Sequence, residues 1–376
     1  MSKKKQRAQQ AAKQLQPVKD ASFHQSIQSS SRKTSASFLI FGAIAAIVLI
    51  GGVLIWFSNR DAAQSTIEAQ PTFGAPATIA VINKTPFPLG SAYRCREQPK
   101  FLTQFGYDER LSALSTSERF RKGLVLKQFP GQPNNPNLQA APVKTFQHET
   151  WDDAGWLGPI TLDKLGNVYI VPVPVISVYD NPTSEQNVVW RVDSMTGVLT
   201  KMLSLPPLVQ PDATNPFGAL GVTYDCDTNS LYVTSVMGST RQKENGRLYR
   251  IDLAKNEVAA IFDNVDALGV SVFNTSKGKR LYFGSSRKPE IRSIALDDFG
   301  NFVGAPRMEV SLESLGPRGD DKARRINFQP NNDMEVFGIE FGFNLIAPTE
   351  KQETKYRFKY DAGADKWTFI DPLSSR

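Results

Sequence analysis

The stretch "LGVSVFNTSKGKRLYFGSS", residues 268–286, reads as two short β-strands about a Ser-Lys-Gly turn. Two other segments nearly repeat it: "LGPITLDKLGNVYIVPV" from Leu157 and "LGVTYDCDTNSLYVTSV" from Leu220. Each copy opens with Leu-Gly, runs through a β-rich stretch to a turn of Gly, Asn, Asp or Lys, and ends in an apolar strand bearing Tyr169, Tyr232 or Tyr282. A third strand follows every time, in "VVWRVDSMTGVLTKML", "GRLYRIDLAKNEVAAIF" and "PEIRSIALDDFGNFVG". These break at Thr-Gly, Lys-Asn or Phe-Gly and resume as a fourth. A fainter copy, "RINFQPNNDMEVFGIEFGF" from Arg325, is followed by "KYRFKYDAGADKWTFID".

The clear copies start 63 and 48 residues apart, and the faint one 57 further on. Four short strands in about 40–60 residues is the period of a β-propeller blade. A lone blade exposes two apolar faces, so blades stack and close into a ring that protects their edges. The expected fold is therefore all-β, a five- or six-bladed propeller over residues 77–376, with clear blades from 157. Residues 76–150 are less regular. There "ATIAVINK" and "KGLVLKQFPG" read as strands and "YDERLSALSTSERFRKG" as helix. This part is expected to supply one or two degenerate blades and a strand that closes the ring against "KWTFID".

Leu-Gly-x-x-x-x, a turn, "LYV" and then "GRLYRID" resemble the six-bladed propellers of the gluconolactonase and strictosidine-synthase-like group and their NHL-repeat relatives, over roughly residues 150–300. Lactonases of that group hold calcium in the central channel with a Glu and an Asn at inner-strand starts. The matching positions here are Leu157, Leu220 and Leu268, and alkyl groups cannot supply the oxygen ligands that Ca²⁺ requires. No cofactor is expected, and calcium is the alternative only if the resemblance extends to the channel.

Charge is concentrated at one end. Residues 1–37 hold eight basic side chains against Asp20, while the net charge of the whole chain is +7. The remainder is neutral, which argues against a nucleic-acid partner. The tail is poor in large apolar residues and is expected to be disordered and cytoplasmic. Residues 38–57, "FLIFGAIAAIVLIGGVLIWF", carry no charge, and a helix of that length spans roughly 30 Å. The basic flank places the N-terminus inside and everything after Ser58 outside. With no good cleavage site in "WFSNRDAAQ", the segment reads as an uncleaved signal anchor. Residues 58–76 then form a linker, and the propeller is periplasmic or extracellular.

Catalytic signals are sparse. His148 is the one histidine outside the tail, which excludes multi-histidine zinc sites. There is no Gly-x-Ser-x-Gly elbow and no phosphate loop. Ser285 to Lys288 matches Ser-x-x-Lys but follows a strand, and Asp225 to Asn229 imitates a calcium loop without its turn glycine. The strongest candidate for ligand binding is "HETWDDAGW": His148, Glu149, Trp151, Asp152, Asp153 and Trp156 place aromatic and acidic groups just before the first clear blade. The competing reading packs the indoles between blades. Cys95 and Cys226, the only cysteines, are a candidate disulfide outside the cytoplasm. The expected function is a non-catalytic binding or scaffold module for a protein, peptide or glycan at the propeller face. The alternative is a lactonase-, esterase- or strictosidine-synthase-like enzyme with a divergent channel site.

Overall fold

Alternating β-branched and aromatic residues between turns of Asp, Asn and Gly form 22 strands among the described residues of the computed structural model. The structure describes residues 87–116, 121–132, 135–172, 180–211, 215–343 and 352–373. The chain divides into two units, Met1–Val81 and Ile82–Arg376, and every described residue belongs to the second. The expected tail, membrane helix and linker, with "ATIAVINK", lie outside the described residues. Among the described residues no helix is long and apolar enough to cross a membrane.

The described part opens with β1 (Gly90–Ser91) and one helical turn, α1 (Phe101–Gln104). The first blade has three strands, β2 (Ser112–Ser115), β3 (Val125–Gln128) and β6 (Lys144–Phe146), with a small hairpin of β4 (Gly131–Gln132) and β5 (Asn135–Pro136). Blade two is β7 (Leu157–Leu162), β8 (Val168–Pro172), β9 (Val188–Val192) and β10 (Leu199–Ser204). Blade three is β11 (Ala219–Asp225), β12 (Ser230–Ser235), β13 (Arg247–Asp252) and β14 (Glu257–Asp263). Blade four is β15 (Ala267–Thr275), β16 (Gly278–Ser285), β17 (Glu290–Leu296) and β18 (Phe302–Ser311). Blade five is β19 (Lys322–Phe328), β20 (Met334–Ile339), β21 (Thr354–Asp361) and β22 (Lys366–Leu373).

The first strand of each sheet lines one central cavity, so the five sheets stand radially around an axis as a five-bladed propeller. That corrects the six-bladed resemblance. Ser112–Ser115, expected as helix, is instead β2: it pairs along β3, and Leu114 lies opposite Leu126 on the face that packs against blade two. The ring has no closing strand at "KWTFID" among the described residues, where β22 pairs with β21 alone.

The repeated Leu-Gly has a packing origin. Inner strands of blades two to five all break register at the same point, between Leu157 and Ile160, Ala219 and Gly221, Ala267 and Val270, and Ala323 and Arg325. Such bulges bend a strand and re-aim its side chains. At Gly221 a Cβ would lie 2.3 Å from the Leu268 carbonyl oxygen, and at Gly269 2.4 Å from that of Arg324. Only glycine lets adjacent inner strands come this close.

Four apolar clusters fill four seams. Trp151, Leu126 and Ile170 join blades one and two; Tyr169, Tyr224 and Leu231 join two and three. Tyr232, Val270 and Phe283 join three and four, and Phe273, Tyr282 and Tyr356 join four and five. Among the described residues no such cluster joins blade five to blade one. The repeat tyrosines bridge seams: the Tyr232 hydroxyl donates to the Gly300 carbonyl at 2.7 Å, and Trp367 Nε1 donates to the Tyr282 hydroxyl at 3.3 Å. Asp225 to Asn229 is the β11–β12 hairpin, in which Asp225 accepts from the Asp227 amide and the Thr228 hydroxyl and Asn229 takes φ 50°.

Candidate channel site

The axial cavity holds about 350 Å³. At the upper mouth, where inner strands begin, Leu220 and Leu268 are buried with Phe217, Val236 and Phe343. Leu157, the third position of the Leu-Gly motif, is buried in the seam between blades one and two. The leucines at the positions of the group's metal ligands are thus packing residues. Deeper in, the wall becomes polar, with Thr116, Thr223, Ser271 and Asn327. Thr116 already donates to the Gly158 carbonyl at 2.7 Å.

Blade five departs from the pattern. Aligning Ala267-Leu268-Gly269-Val270 with Ala323-Arg324-Arg325-Ile326 by their common bulge sets two arginines where blades three and four carry Leu-Gly. Both line the cavity. Arg324 Nη1 lies 3.0 Å and Arg325 Nη2 2.5 Å from the two oxygens of Glu353. The Arg325 guanidinium also stacks 4.3 Å over the Phe337 ring. Burial pulls the Arg324 pKa below its ordinary value; Glu353 opposes that shift, and the charge of Arg325 adds to it. Two cations share one carboxylate, so the cluster is net positive.

The lower mouth, where inner strands end, is crossed by a strap of residues 87–100. Gly90 and Ser91 pair with Asn274 and Phe273 at the end of β15. The Cys226 amide donates to the Ala92 carbonyl at 2.8 Å, and Cys95 is disulfide-bonded to Cys226, with Cα atoms 5.8 Å apart. The Glu97 amide then donates to the Asp163 carbonyl at 3.0 Å. The strap therefore passes from blade four over blade three to blade two. Beneath it, Lys279 is buried between Asp225 at 2.6 Å and Asp227 at 2.7 Å, with its ammonium 4.3 Å from the Phe87 ring centre. On the side of blade five the strap leaves a depression of about 830 Å³, which Arg94 and Arg96 line.

The residues of "HETWDDAGW" are not brought together at a mouth. Trp151 is fully buried between blades one and two; its Nε1 donates to the Gly197 carbonyl at 2.7 Å and its rings meet Phe101 and Phe146. This is the packing between blades that was the competing expectation for the indole. His148 is half-buried, with Nδ1 3.0 Å from the Thr150 hydroxyl; Glu149, Asp152 and Asp153 are exposed, and Trp156 is half-buried. Ser285 caps a turn by accepting the Arg287 and Lys288 amides. Among the described residues no group of three or more His, Cys, Asp or Glu is placed to hold a metal ion.

No protein-family profile matches this chain, and no curated protein matches it. The chain is similar to solved structures. A protein from Lactobacillus plantarum aligns over 71% of this chain and 69% of its own, at 14% identity and a TM-score of 0.44. The Cps50 (Swd1) β-propeller domain of Myceliophteria thermophila aligns over 71% and 70%, at 11% identity and 0.39. A protein of unknown function from Bacteroides caccae aligns over 69% and 72%, at 10% and 0.39.

Proposed function

We propose that this chain is a membrane-anchored, extracytoplasmic binding module: residues 38–57 hold it in the bilayer, and the propeller is a rigid platform that takes a ligand into its axial channel. The observation that carries this reading is the change in wall chemistry. Packing alone accounts for Leu-Gly on blades three and four, yet the same place on blade five presents Arg324 and Arg325 to a cavity of about 350 Å³, a size typical of small-ligand sites. A non-catalytic role draws support from the walls themselves. General acid–base catalysis works best with a group that titrates near neutrality, and the cavity wall offers tyrosine, arginine, hydroxyl and amide groups.

The test is to isolate the full-length chain in detergent from its own membranes and identify by mass spectrometry the small molecules it carries. Ser271→Phe and Val222→Phe, each filling the channel from a different strand and each checked by circular dichroism for retained fold, serve as comparison. The expected result is a compound held by the wild-type chain and missing from both variants. Identical inventories in all three would dispose of the reading. The placement is checked separately: protease added to spheroplasts, whose cytoplasmic membrane is intact and whose outer layers are removed, should degrade the propeller, and full protection there with degradation after lysis would refute an extracytoplasmic domain.

A further inference from the structure

We propose that the channel and the depression at its lower mouth form one elongated site for a small ligand with an anionic group, carboxylate or phosphate, at each end. Arg324 and Arg325 take one end, and Arg94 and Arg96 on the strap take the other. The proposal rests on the channel being the binding site.

Three observations lead there. The two cavities adjoin, sharing Tyr93, Ser271 and Asn327 in their walls. Together they present four arginines, and among the described residues neither wall contains an aspartate or glutamate. The charges are also under-compensated: among the described residues Arg324 and Arg325 share the one carboxylate of Glu353, and Arg94 and Arg96 have no carboxylate partner. Arg96 stacks 4.3 Å from the Tyr93 ring centre, which fixes its guanidinium beside the shared part of the wall.

Arginine is suited to this task. Its planar fork matches carboxylate and phosphate oxygens two at a time, and such charge-assisted pairs are stronger than neutral hydrogen bonds. A concave wall of one sign with low-dielectric surroundings concentrates oppositely charged solutes. Between the two arginine pairs the wall carries no charge: Ile160, Val222 and Val270 alternate with the uncharged polar side chains of Thr116, Thr223, Ser271 and Asn327. A ligand with an uncharged middle and charged ends fits that sequence of surfaces, whereas a uniformly charged chain would set a charge where the wall offers no counter-charge. Glu353 acts as an internal counter-ion that a bound anion replaces in part.

The experiment uses the full-length chain in neutral detergent, with ionic strength held constant by sodium chloride, and calorimetric titration with defined probes. Fructose 1,6-bisphosphate and adipate are the two-ended anions, fructose 6-phosphate and hexanoate their one-ended counterparts, and fructose the neutral control. The two-ended probe of at least one chemistry should bind tenfold or more tighter than its one-ended counterpart, and fructose should not bind. Whether the phosphate or the carboxylate pair responds identifies the source of the charge. Arg325→Gln and Arg94→Gln should each weaken the two-ended probe at least tenfold, and Glu353→Gln should strengthen it. Affinities unchanged in both arginine variants, or no anion bound at all, would overturn the proposal. If no anion binds while Ser271→Phe still loses a co-purified compound, only the anionic assignment falls. Anion binding that survives Ser271→Phe would remove the channel reading as well.

Discussion

The inner strands of blades four and five occupy equivalent places around the axis, share a bulge after Ala267 and Ala323, and use the next two residues in opposite ways. Blade four sets Leu268 into the apolar upper mouth and lets Gly269 touch the backbone of blade five. Blade five sets Arg324 and Arg325 there and ties both to Glu353. Its outward face explains the freedom to differ. Ile326, Val336 and Tyr356 pack on blade four, while Arg325, Phe337 and Lys355, in register on the other face, lie on the one side that no described apolar cluster seals. In a repeat protein, a residue under no packing demand from the next blade is available for charge.

The largest effect should come from breaking the close approach. Gly269→Val would place a Cβ 2.4 Å from the Arg324 carbonyl oxygen and 2.7 Å from its carbon, and backbone on both sides cannot yield. We expect a loss of about 4–5 kcal/mol, or failure to fold. Urea denaturation followed by circular dichroism measures it. A loss under about 1 kcal/mol would show that the blades are not held at this spacing.

Next comes the seam between blades one and two. Trp151→Ala should cost about 3–5 kcal/mol, since it empties a buried indole site and leaves the Gly197 carbonyl without its donor. Asp152→Asn and Asp153→Asn, at exposed positions a few ångströms along the chain, should stay within about 0.5 kcal/mol. Thermal melts of the three variants test the pair of statements together.

These residues also show what could be read in the chain beforehand. The alternation and the Asp-to-Gly or Asn turns mark hairpins because both arise from local backbone geometry, and every strand expected from Leu157 onward is present. Trp151 was ambiguous because an aromatic beside two acids suits a rim as well as a seam, and only Gly197, 46 residues on, decides between them. The strap had no signal: β1 is two residues long and owes its conformation to the edge of β15. The first blade, with strands of three and four residues, was weak for the same reason. Arg324 and Arg325 were missed because they replace the very motif by which copies were recognised. Setting "ARRI" under "ALGV" would have found them.

A smaller effect concerns an ion pair at the upper mouth. Asp266 on blade four is buried, and burial lifts its carboxyl to about 6 despite the Ser239 hydroxyl and the Arg287 guanidinium at 2.5 Å. A carboxyl raised in the folded state adds stability that is complete below the unfolded value near 4 and is lost as pH rises through about 6. Stability of the wild-type chain relative to Asp266→Asn should therefore fall between pH 4 and 7, by on the order of 2–3 kcal/mol. Asp193, held below the usual carboxylate range by the Thr196 amide, gives the opposite slope in both proteins and cancels in the difference. Urea midpoints at four pH values measure it; a flat or rising difference would mean that Asp266 titrates normally.

A small effect should be the one that carries the contrast. Arg325→Gly converts blade five toward the Leu-Gly pattern, and its consequence for stability should be within about 1 kcal/mol. The side chain is half exposed, its partner Glu353 keeps Arg324, and the stacking on Phe337 is worth about 0.5–1 kcal/mol at such a site. A packing glycine and a ligand-facing arginine thus predict opposite results at equivalent positions. Gly269→Val should ruin the fold, while Arg325→Gly should leave it standing and remove only the affinity for the anionic probe. If Arg325→Gly instead costs as much as Gly269→Val, the arginine is a structural member of the ring, and the positive charge in the channel follows from closing it.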